Sequence, residues 1–170
     1  MTREEQLDLR IQLGELEANH KRVMELLRQK LEQGGDQSQI LTTLALTFRW
    51  AGAEETAREL AARGLQIVDQ MLGRYQSDEP LDRTRRSLLL ALLGRMDEAR
   101  AELTLARKLP LCRQCTYCTC KDADIYEGYL EEITGNSKKA MELHLAGKKN
   151  WPDELDFYAG VTRLKKNKKG

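Results

Sequence analysis

The sequence is poor in aromatic residues, proline and histidine, and it has no long apolar run. Nine aromatics, three prolines and two histidines stand among 170 residues. The longest uninterrupted apolar stretch, Leu88–Leu93 (LLLALL), covers 6 residues, where a bilayer span needs roughly 18 or more. No membrane-spanning helix is therefore expected. The formal charges nearly cancel, leaving +1, so no global field draws the chain to nucleic acid or to an anionic membrane. The opening stretch MTREEQLDLR carries no apolar signal core, and a cytoplasmic location follows as the expectation. G-x-S-x-G, the P-loop and G-x-G-x-x-G are all missing. No enzyme is expected.

What the chain does have is Leu, Ala, Glu, Lys and Arg in abundance, residues that lose little rotamer freedom in a helix. Apolar residues make up 41% and charged residues 32%, a balance that folds and stays in solution. No segment alternates as a strand would; every stretch between breakers runs at helical spacing.

Three segments repeat: WAGAEETARELAARGL (50–65), LLGRMDEARAELTLARKLP (92–110) and ITGNSKKAMELHLAGKKNWP (133–152). In each a glycine is followed five residues later by alanine, as Gly52/Ala57, Gly94/Ala99 and Gly135/Ala140. The glycines lie 42 and 41 residues apart, and Pro110 and Pro152 close the second and third segments 42 apart. A glycine ends one helix within a residue or two, and the alanine lets a second helix approach the first. Such a hairpin cannot bury its apolar face alone, so neighbours must stack.

This pattern resembles the tetratricopeptide repeat. The first segment carries Leu41, Leu44, Ala45, Phe48, Gly52, Ala57 and Gly64 in the family's places, but has Ala61 where a larger residue is usual. The second carries Ser87, Leu90, Gly94, Ala99, Leu103, Ala106 and Pro110, with Arg83 and Arg86 where apolar residues belong. The third carries Gly128, Gly135, Ala140, Gly147 and Pro152, with His144 in the aromatic place. The family period is 34, so the wider spacing here implies longer helices or joints.

The resemblance implies an all-α solenoid of helical hairpins. Its repeats cover about 36–75, 80–110 and 121–150 within 36–154, after an N-terminal element (1–35) and before a capping helix with a basic tail (151–170). In 1–35, Leu9, Leu13, Leu16, His20, Val23 and Leu27 follow a heptad seam through Gly14. One long helix over about 3–33 is preferred, with Gly14 on its outer side; a degenerate hairpin turning at Gly14 is the alternative. Thr2 with Glu5 and Asp36 with Gln39 are candidate capping boxes. Pro80 suits a first helical turn, and Pro152 is placed at the opening of the last helix.

The resemblance further implies a role without chemistry: binding a peptide or helix of a protein partner on the concave face. Carried over residue by residue, that face holds Gln39, Thr42, Leu46, Arg49 and Trp50, then Thr84, Leu88 and Leu92, and with weaker alignment Ile125, Tyr129 and Glu132. The Lys/Asn pattern with which some members clamp a terminal carboxylate is missing. Both His20 and His144 fall on core-facing positions and read as structural. Nucleic-acid binding through RTRR (83–86) and the RLKKNKKG tail is the weakest alternative, given the balanced charge.

All four cysteines crowd into LCRQCTYCTCKD, as Cys112, Cys115, Cys118 and Cys120, between Pro110 and Asp122, the expected N-cap of the third repeat. A structural zinc ion would take these four thiolates, or three of them with His144. Closing four ligands within nine residues is unusual for zinc, and packed reduced thiols are the competing reading. The start of the motif also resembles a ferredoxin cluster loop, without its closing Cys-Pro, and a redox pair is a further alternative. Under every reading the loop is first a joint between hairpins. With metal bound, it would make the chain a metal- or redox-responsive regulator. Elemental analysis beside a thiol count separates the two main readings. A metal-held joint gives one zinc per chain with its thiols protected until chelation; a packed-thiol joint gives four titratable thiols and no metal.

Overall fold

A computed structural model describes residues 2–74, 79–109 and 121–167. Among them the chain forms nine α-helices and no strand. They are α1 (Arg3–Leu16), α2 (His20–Glu32), α3 (Gln37–Trp50), α4 (Glu54–Met71), α5 (Glu79–Leu92), α6 (Met96–Lys108), α7 (Lys121–Ile133), α8 (Ser137–Asn150) and α9 (Leu155–Asn167). No described helix is long and apolar enough to cross a membrane.

Neighbouring helices pack in pairs, α1 with α2, α3 with α4, α5 with α6 and α7 with α8. One turn joins all four pairs. Gly52, Gly94 and Gly135 have φ of 82°, 81° and 79°. The residue after each donates back to a carbonyl five positions earlier: Ala53 to Phe48, Arg95 to Leu90 and Asn136 to Glu131, each at 2.9 Å. These are Schellman caps, which need a left-handed residue at the turn. The first pair makes the same cap with Ala18 at φ 47°, and Asn19 donates to the Gly14 carbonyl at 2.8 Å.

That turn corrects the expected long N-terminal helix. The chain breaks at 17–19 and folds back as a hairpin, turning at Ala18 rather than at Gly14. The heptad seam fails with it: Leu9 and Leu13 are 54% and 45% exposed, and Leu7, Ile11, Val23, Leu26 and Leu27 form the buried set. Gly14 lies inside, not outside, where an added Cβ would stand 2.8 Å from Val23 Cγ2. Five residues past the turn the other pairs carry Ala57, Ala99 and Ala140, and this one carries Val23. The space for valine comes from Gly14, four residues before the turn, where the second and third pairs carry Phe48 and Leu90. The size swap keeps the two helices close.

The odd-numbered helices make an inner layer. α3 packs on α5, α5 on α7 and α7 on α9, while α2, α4, α6 and α8 each pack against the following odd helix. α1 also meets α9, so the inner layer closes on itself. Leu88, Leu89, Leu90, Leu130 and Phe157, all under 2% exposed, fill the core between layers. At the C-terminal end α7, α8 and α9 approach through glycines. The His144 ring is so close to Gly128 and Gly160 that a Cβ on either would stand 2.6 Å from it. A Cβ on Gly147 would stand 2.1 Å from the Phe157 ring.

Helix starts follow local chemistry. Thr2 and Glu5 close a reciprocal capping box on α1, and the Asp36 carboxylate accepts from the Ser38 and Gln39 backbone amides to start α3. Pro80 sits in the first turn of α5, where its missing N–H is harmless. Two expected starts move. Asp122 lies inside α7, after Lys121, and α9 begins at Leu155, three residues beyond Pro152, because a turn from Trp151 to Glu154 intervenes.

Two opposite glycine substitutions test this packing. Ala18→Gly relieves a left-handed alanine and is expected to raise stability by about 0.5–1 kcal/mol, net of the freedom glycine gains when unfolded. Gly160→Ala forces a methyl into the His144 ring and is expected to cost about 1–3 kcal/mol. Thermal unfolding of both variants reads the two signs.

Candidate functional site

A partly open cavity of about 390 Å³ lies on the inner layer. Its walls come from α1, α2, α3, α5, α7 and α9, with no residue from the outer helices α4, α6 and α8. Helical spacing explains which side chains reach it. Counting back six residues from each turn residue, Ala18, Gly52, Gly94 and Gly135, lands on Gln12, Leu46, Leu88 and Tyr129, and all four line the cavity. One turn further back lie Asp8, Thr42, Thr84 and Ile125, and all but Thr84 line it too.

Among the residues expected on a concave face, Gln39, Thr42, Leu46, Trp50, Leu88, Ile125 and Tyr129 meet around this cavity. Arg49, Thr84, Leu92 and Glu132 do not. Arg49 ion-pairs with Glu54 across the hairpin turn and reaches the Ile133 carbonyl at 3.4 Å. Thr84 is fully buried, its hydroxyl bonded to the Leu81 carbonyl at 2.7 Å. Leu92 belongs to the core. Glu132 turns away into a buried cluster, accepting from both Nε and Nη2 of Arg163 at 3.1 and 2.8 Å and meeting His144 Nε2 at 2.7 Å.

That cluster shapes one wall. The Arg163 guanidinium sits over the Trp50 ring, 3.4 Å from its centroid, and 5.4 Å from that of Tyr129. Trp50 and Tyr129 pack edge to face at 5.3 Å, and the ring series continues through His144 to Phe157. Burial alone would raise the Glu132 carboxyl, but the His144 hydrogen bond and the Arg163 charge hold it below its ordinary value. Glu132 is therefore a carboxylate, and the cluster ties α7, α8 and α9 together.

Four acids line the cavity, Asp8, Glu15, Asp122 and Asp156, beside two cations, Lys30 and Arg85, the latter engaged by Asp36 and Asp82 from outside the lining. Asp8 is paired with Lys30. Arg85 reaches Asp36 at 3.1 Å and Asp82 at 3.8 Å. Asp156 accepts a hydrogen bond from the Tyr129 hydroxyl. Glu15 has no hydrogen bond or ion pair among the described residues. Burial, then the charge of Asp156, pushes its carboxyl up to about 8, with Arg163 opposing. Asp156 is raised to about 6, chiefly by burial. Burial also lowers His20, whose ring lies 6.1 Å from Trp50.

No family model, curated protein or solved structure matches the chain. The geometry of the cavity therefore carries the functional argument. Cys112, Cys115, Cys118 and Cys120 lie outside the described residues, and among those described no group of three or more His, Cys, Asp or Glu is disposed around a metal position. His144 is fully buried, with Nε2 engaged by Glu132 and Nδ1 without a partner.

Sequence reasoning passed over Asp8, Gln12, Glu15, Lys30 and Tyr126; it read Asp156 as helix-start charge and met Arg85 and Arg163 only within the basic stretches RTRR and RLKKNKKG. A signal existed for the first two: the offsets that select Leu46 and Thr42 from Gly52 select Gln12 and Asp8 from Ala18. An alanine in place of the turn glycine hid it. Arg163 and Asp156 lie beyond the last hairpin, where no repeat offset reaches.

Glu15 gives the site a pH signature. Unfolded, it loses its proton near its ordinary value of 4.5; folded, it holds it to about 8. The folded form therefore carries the extra proton in this window, and its stability falls as pH rises through it. His20 acts oppositely, but only below its ordinary value of 6.5. Between about pH 6.5 and 8.5 the unfolding midpoint is expected to fall with rising pH, and Glu15→Gln is expected to flatten that slope.

Proposed function

We propose that the chain is a non-enzymatic interaction module of the tetratricopeptide kind, which receives an extended segment of a partner protein on its inner face. The observation that carries this reading is convergence. Residues chosen only by repeat offset (Gln39, Thr42, Leu46, Trp50, Leu88 and Tyr129) surround one cavity. The repeated Schellman turns and the inner and outer helix layers support the same reading. A cavity of about 390 Å³ is at the small end of ligand sites. It suits one or two side chains of an extended peptide better than a helix, whose diameter is about 10–12 Å. Trp50 and Tyr129 are residue types that anchor such segments.

The test is to fill the cavity without touching the core. Gln39 is exposed and lines it. Peptides selected on the wild-type chain from a displayed random library should bind Gln39→Trp at least about tenfold more weakly, a loss of about 1.4 kcal/mol. The thermal midpoint should stay unchanged. Equal binding by the variant would remove the cavity as the docking place.

A further inference from the structure

We infer that the cavity takes a cationic side chain, lysine or arginine, from an extended partner segment, with Glu15 and Asp156 as its acidic end and the Trp50–Tyr129 pair as its wall. This rests on the peptide-binding reading above and names the chemistry of the partner.

Three observations converge on it. The first is an imbalance of partners. Asp8 has Lys30, and Asp36 and Asp82 have Arg85, so the cations lining the cavity are already engaged. Glu15 faces the same space with no hydrogen bond or ion pair among the described residues. A carboxyl brought beside another carboxyl, away from bulk water, costs stability unless something supplies the missing cation. Arg163 only partly supplies it: its charge acts on Glu15 without a hydrogen bond or ion pair to it, and its Nε and Nη2 are both held by Glu132.

The second observation is that the molecule already displays the recognition chemistry it would offer. Arg163 rests over Trp50 at 3.4 Å with a carboxylate on its edge. An aromatic face beside an acid is the environment that a guanidinium or ammonium prefers to water. Tyr129 belongs to both settings, with its ring beside Arg163 and its hydroxyl on Asp156. A ligand cation bound near Asp156 and Glu15 would share that wall from the cavity side.

The third is size and placement. The cavity lies where α1 closes onto α9, the two helices that carry Glu15 and Asp156. Its volume of about 390 Å³ admits a long side chain but no folded element. Charge complementarity therefore selects a basic segment, and an acidic one would meet like charge at Glu15 and Asp156.

The experiment uses the full chain and pools of labelled random decapeptides that differ only at a fixed central residue. That residue is arginine, its uncharged isostere citrulline, or glutamate. Free agmatine, a small guanidinium, is titrated alongside. The arginine pool is expected to bind at least about tenfold more tightly than the citrulline pool, and the glutamate pool to bind weakest. Glu15→Gln, a half-buried position with no hydrogen bond or ion pair to lose among the described residues, should erase most of the arginine preference while the thermal midpoint stays level or rises, so that lost binding is not lost folding. Equal binding of all three pools, still lost in Gln39→Trp, would overturn the cation inference and leave the interaction module standing. Agmatine binding as tightly as the arginine pool would overturn the assignment to a peptide. Binding by no pool at all would remove the module reading itself.

Discussion

The guanidinium of Arg163 is held on its edge by Glu132 and covered on its face by Trp50, and the arrangement of the inner helices depends on that contact. Arg163 belongs to α9, Glu132 to α7 and Trp50 to α3, so one side chain joins the last helix to the last hairpin and to the first third of the chain. All the charge is buried: Arg163 is 2% exposed. Taking two ions out of water costs several kcal/mol each, and mutual attraction repays this only when the geometry is good and the remaining donors are used. Here Nε and Nη2 are both bonded to Glu132, His144 meets the same carboxylate, and the ring beneath adds an attraction of up to about 2 kcal/mol when desolvated. A hydrophobic substitute could match its stability, but it would not bond Glu132 of α7 while covering Trp50 of α3.

Where α9 lies decides what the cavity becomes. With α9 in place, Asp156 and the Tyr129 hydroxyl meet at one end, and α1 closes over them with Glu15. The glycines at 128, 147 and 160 let the three C-terminal helices come near enough for His144 and Phe157 to interlock between them. The result is an inner layer that curves back on itself after four hairpins and a capping helix. An extended row of the same units would expose a shallow face, whereas this closure makes a partly open, acidic pocket.

Much of the helical plan was legible because it is written in local chemistry. Gly52, Gly94 and Gly135 each sit at a left-handed turn that nearly every other residue resists, and each is followed at the same offset by a buried alanine. The first hairpin was not legible for the same reason in reverse. Ala18 takes the left-handed turn without being glycine, and Val23 with Gly14 replaces the usual large-then-small pair by a small-then-larger one. Against that masked turn, Leu9 and Leu13 looked like the inward stripe of a long helix, although both point to solvent. The inner-face residues of the later hairpins followed from repeat offsets, except where a neighbour captured them, as Glu54 captures Arg49 and Arg163 captures Glu132.

By itself, then, the sequence determined helix, hairpin and layer. Those depend on propensity, on turn residues and on apolar spacing within some 30 residues, all of them short-range forces. Only the tertiary structure decided the acidic end of the cavity. Glu15 and Asp156 are 141 positions apart, and no periodicity relates them. They share a space because the buried Arg163 contact and the C-terminal glycines set the curvature that brings α1 onto α9. Long-range electrostatics and close packing, and not local preference, brought these two carboxyls together.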